Sequence, residues 1–79
     1  MYILYSSDGS HTVLGKSTGN RQNEDDGSFW ITGWSDKTRE SVSIGGFYTL
    51  KFPDQHSNSV EVLQIGGGGM GGIRFEFTG

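Results

Sequence analysis

Seventy-nine residues with a formal net charge of −3 and no cysteine make one domain, residues 1–79, that neither disulfides nor cysteine-bound metal can staple. The Lys and Arg side chains are scattered along the chain rather than gathered into a stripe. This argues against direct nucleic-acid binding, and no apolar run reaches the roughly 18 residues of a membrane span.

The chain opens on Met1-Tyr2-Ile3-Leu4-Tyr5, which reads as a first strand over residues 2–5. It lacks the basic start and long apolar stretch of a signal peptide, so a cytoplasmic location is expected. Asp8-Gly9 marks a turn before a second strand at 11–14. Residues 15–27 are polar throughout and are expected to form an exposed, mobile loop. Within them Gly15-Lys16-Ser17 looks like the end of a phosphate loop, but Ser10 stands where the leading glycine belongs and no helix signal follows. Asn23-Glu24-Asp25-Asp26-Gly27 is rich in oxygen ligands. Aligned on Gly27, however, an EF-hand loop would begin at Gln22 and end at Gly33 instead of a glutamate.

The run Phe29-Trp30-Ile31-Thr32-Gly33-Trp34 lies in a strand over 28–34. An extended chain puts Trp30, Thr32 and Trp34 on one face, the two indoles about 13 Å apart. A strand apolar on both faces is either buried twice or offers one face to a partner. Residues 35–39 read as a charged connection. Alternation over 42–52 predicts a ribbon that bends at Gly45-Gly46, and Pro53 to Asn58 form a turn. Strands over 59–65 and 73–78 complete the chain. The last alternates Ile73, Phe75 and Phe77 with Arg74, Glu76 and Thr78. Ile44, Leu50, Phe75 and Phe77 are expected in the core.

Between these two strands, Gly66-Gly67-Gly68-Gly69-Met70-Gly71-Gly72 fits G-x-G-x-x-G literally. It lacks the helix that would hold a dinucleotide's pyrophosphate, and a hairpin loop is the simpler reading. His11 and His56 are expected in surface turns, and no residue set predicts a metal or cofactor.

The pattern of six to seven short strands predicts an all-β fold, a small antiparallel β-sandwich or barrel. No pairing of nucleophile with base, or of two acids, stands out, so an enzyme is not expected. The expected function is a non-enzymatic protein-binding module with Trp30, Trp34, Asp25, Asp26 and Met70 at its contact surface. Short, acidic, cysteine-free, aromatic-rich β proteins of this profile include inhibitors that phages and viruses direct at host proteins. Two alternatives are a glycan-binding module that stacks sugars on tryptophan and a structural subunit that assembles through sheet edges. The thin core leaves a homodimer open.

Overall fold

A computed structural model describes residues 1–66 and 70–79. Among these residues the chain forms seven strands, β1 (Tyr2–Ser6), β2 (Val13–Ser17), β3 (Arg21–Asn23), β4 (Phe29–Ile31), β5 (Phe47–Lys51), β6 (Ser57–Ile65) and β7 (Ile73–Phe77), with one helix, α1 (Asp36–Ser41), between β4 and β5 in sequence. They form a single antiparallel sheet in the order β2-β1-β5-β6-β7-β4-β3. The two edge strands are consecutive in the chain, and residues 18–20 between them reach only about 14 Å at full stretch. The sheet therefore curls into a half-barrel that draws its edges together at that end. There the Ser17 hydroxyl donates to the Thr32 carbonyl.

The side chains inside this curl follow from register. Leu4 faces Leu50, Val62 faces Phe75, and Phe75 faces Phe29, while Ile31 faces Ile73. All of these are buried, and burying each such apolar side chain stabilises the fold by roughly 1.5–3 kcal/mol. Trp34, Val42 and Phe52 enter the same cluster from the connections.

Leu50 and Phe75 sit in the core as their alternation implied, but Ile44 and Phe77 do not. Ile44 is 65% exposed at the tip of a turn, closed by the Gly46 N–H donating to the Ser43 carbonyl at 2.9 Å. The expected ribbon over 42–52 is thus a turn followed by the shorter β5. Phe77 ends its strand 43% exposed, although its ring still meets Phe29 at 4.9 Å and Phe52 at 5.8 Å between centroids.

Two elements replace expected irregular chain. The polar stretch 15–27 supplies the end of β2 and all of β3, whose three residues are exposed. β3 is held by pairing with β4 and by the Arg21 guanidinium, 4.5 Å from the Phe29 ring centroid. The charged connection 35–39 begins α1. Ser35 caps it by accepting from the Thr38 N–H at 3.2 Å, and Asp36 and Arg39 sit at the ends the helix dipole favours. Only Thr38 is buried in this helix, so no apolar stripe announced it. The Thr38 hydroxyl donates to the Leu14 carbonyl at 3.1 Å, which ties α1 to edge strand β2.

Candidate functional site

Trp30 lies on the outer face of β4, between buried Phe29 and Ile31. Its cross-strand partners are Gln22 on β3 and Arg74 on β7. The benzo ring rests against the two stems of the glycine-rich hairpin. A Cβ at position 72 would stand 3.0 Å from Trp30 Cε3, and one at position 66 would stand 3.4 Å from Cζ3. Glycine at 72 is what lets the indole lie this close to backbone. The stems are joined by the Gly66 N–H donating to the Gly72 carbonyl at 2.8 Å. The hairpin expected over residues 66–72 is described at Gly66 and from Met70 onward, and Gly67, Gly68 and Gly69 lie outside the described residues.

Gln22, Glu24, Thr32, Gly66, Met70 and Gly72 complete a groove of about 250 Å³ around Trp30. Met70 is 72% exposed at its rim. Thr32 is fixed there because its hydroxyl accepts the Asn20 N–H at 3.0 Å. Glu24 follows Gln22 on the same face. Its N–H donates to the Ser28 carbonyl at 2.8 Å, which puts its side chain diagonal to Trp30 and within reach of it.

The structure brings Trp30 and Met70 together in this groove and leaves Trp34 out of it, bordering a separate concavity on the other side of Met70. Trp34 is only 2% exposed and packs edge-on against Phe75 at 6.2 Å between centroids. The shared face expected for the two tryptophans is lost at Gly33, whose φ of 86° breaks the extended alternation and turns the next side chain inward. Two hydrogen bonds lock that bend, Gly33 N–H to the Met70 carbonyl at 2.9 Å and Trp34 N–H to the Gly71 carbonyl at 3.0 Å. Trp34 is therefore a core residue and not a surface anchor. Among the described residues its buried Nε1 meets no acceptor.

Asp25 and Asp26 form the β3–β4 turn, outside the groove lining. Asp26 is occupied structurally. Its Oδ1 accepts from the Ser28 N–H at 2.9 Å and the Ser28 hydroxyl at 2.5 Å, and its Oδ2 pairs with Arg74 at 2.8 Å. The Ser28 hydrogen bonds, reinforced by the Arg74 charge, hold this carboxyl below the usual range. The groove residues that sequence reasoning missed are Gln22, Glu24 and Thr32. The sign that could have found them is the period-two placement of Gln22 and Glu24 in a segment able to pair with the tryptophan strand.

A second groove, of about 320 Å³, opens at the far end of β7, where Arg21, Phe52, Asp54, His56 and Phe77 meet. Asp54 accepts from the His56 backbone N–H at 3.0 Å and contacts His56 Nδ1 at 3.1 Å, and these bonds hold its carboxyl below the usual range. Both side chains are exposed, and among the described residues no hydroxyl hydrogen-bonds to the imidazole. His11 is exposed in the β1–β2 turn. No group of three or more His, Cys, Asp or Glu side chains gathers among the described residues, and no described helix is long and apolar enough to cross a membrane.

Comparison with protein-family models, with curated proteins and with solved structures finds no match to this chain. The class that can be stated is structural: a nearly all-β protein whose single antiparallel sheet curls into a half-barrel.

Proposed function

We propose that the protein is a non-enzymatic binding module that engages another protein through the Trp30–Met70 groove. The observation that carries this reading is the pairing of a half-buried tryptophan with a highly exposed methionine across one concavity. Tryptophan commonly supplies the largest share of contact energy at protein interfaces, and methionine adapts its shape to a partner. The negative net charge suits a basic target, as an inhibitor covering such a target's working surface would require.

A glycan-binding reading draws support from the same groove, because Gln22, Glu24 and Thr32 set polar groups around an aromatic plate. Assembly through sheet edges has less support: β3 is three residues long, and α1 is tied to β2.

The test is capture on immobilised protein, run beside a glycan array, with wild-type chain and Trp30→Ala. A protein partner whose affinity falls by about 2 kcal/mol or more in the variant, with the variant still folded and unfolding cooperatively at the assay temperature, supports the reading. Glycan binding that Trp30→Ala abolishes, or a captured protein indifferent to that change, refutes it.

A further inference from the structure

We infer that the groove beside Trp30 receives a cationic side chain, an arginine or lysine presented by the partner protein, with the indole as its plate and Glu24 as its counter-ion. The inference rests on the protein-binding reading and specifies what that partner must display.

Three observations lead to it. The first is the plate. Tryptophan attracts a cation over its ring more strongly than any other side chain, and Trp30 is held against the Gly66 and Gly72 backbone, so its position is set before a ligand arrives. The second is the carboxylate. Glu24 lines the same groove, and among the described residues it forms no ion pair. Aromatic ring and free carboxylate thus flank one concavity, the two features that together favour a cation over a neutral group.

The third observation removes the internal competitor. Arg74 sits directly across from Trp30 on β7 and would be the natural cation for its ring. Its guanidinium is turned away instead: Nε donates to the Ser28 hydroxyl at 2.8 Å, and the terminal nitrogen pairs with Asp26 at 2.8 Å. The cation–aromatic contacts of the described residues are all made by Arg21, over Phe29, Phe52 and Phe77. Trp30 and Glu24 are left complementary to a positive charge that the fold does not itself supply. Gln22, directly across from Trp30 on β3, adds an amide oxygen able to accept from the same cation.

The experiment titrates the isotopically labelled 79-residue chain with capped tripeptides Gly-X-Gly, where X is arginine, lysine, citrulline or norleucine. The indole N–H resonance of Trp30, assigned with Trp30→Phe, is the readout. Arginine and lysine peptides are expected to shift it saturably, and the neutral peptides to bind about fivefold more weakly or worse. Added salt should weaken the cationic peptides selectively. Glu24→Gln should bring them down to the citrulline level while leaving the thermal midpoint in place. No shift from arginine, equal binding of citrulline, or indifference to Glu24→Gln overturns the inference. If norleucine binds best and Trp30→Ala removes it, the cation inference falls while the groove reading stands. If an oligosaccharide alone perturbs Trp30, both fall together.

Discussion

Trp30 and Trp34 are four positions apart in the chain and have opposite surroundings. Trp34 fills the inside of the curled sheet against Phe75, whereas Trp30 lies on the outside, on a bed of glycine backbone. The bend at Gly33 makes the difference. An aromatic residue in a short β protein is thus assigned to core or surface by the backbone beside it as much as by its own apolar character.

The widest separation between the two is expected in stability. Trp34→Ala should lower the unfolding free energy by about 3–5 kcal/mol, the usual cost of emptying a large aromatic site. Trp30→Ala, at a half-buried site, should lower it by only about 1–2 kcal/mol. Chemical denaturation of both variants measures this, and equal losses would break the comparison.

A smaller effect is expected where the outer indole meets the hairpin. Gly72→Ala places a methyl 3.0 Å from Trp30 Cε3, so the ring or the stem must move, at a cost of about 1–3 kcal/mol. The Trp30 indole resonance should shift strongly and that of Trp34 little. Matching shifts at both would mean that the two environments are coupled.

The outer face also carries a conflict that the interior lacks. Glu61 and Glu76 are directly opposed on β6 and β7, and like charges so placed destabilise a sheet. Glu76→Gln should therefore raise stability by about 0.2–1 kcal/mol, read as a higher denaturation midpoint, with the peptide titrations at Trp30 unchanged. A loss of stability would show that the pair has a role other than repulsion.

The smallest effect expected is on acid stability, and it belongs to the exposed turns rather than the core. The Ser10 hydroxyl and N–H, with the Ser6 hydroxyl, hold Asp8 at about 2. Asp26 and Asp54 are lowered in the same sense. A carboxylate whose pKa is depressed by folding contributes its full stabilisation above its unfolded value and loses it as pH falls through the folded one. The thermal midpoint should thus decline from about pH 4 toward pH 2, and Asp8→Asn should flatten the lower part of that decline. A midpoint independent of pH across this range would contradict the turn hydrogen bonds.

Much of the fold was legible because alternation reports burial directly. Leu50 and Phe75 reached the core on their expected faces, and the Asp8-Gly9 turn falls where that dipeptide implied. Polar elements were not legible. β3 contains no apolar residue, and α1 buries only Thr38, so neither leaves a hydrophobic period to detect. Of the expected contact residues, Trp30 and Met70 share the groove, while Asp26 is spent on Arg74 and Ser28.

The sequence by itself determined that the chain is built from short antiparallel strands, because glycine and period-two patterning leave no apolar helix stripe. It also singled out the tryptophan segment and the glycine-rich hairpin. Only the tertiary structure decided that one indole turns inward, that the hairpin stems support the other, and that Glu24 rather than Asp25 or Asp26 stands beside it. Those outcomes depend on a positive φ at Gly33 and on pairing between β3 and β4. Long-range strand pairing sets both the register and the face that a side chain occupies, and local composition does not encode it.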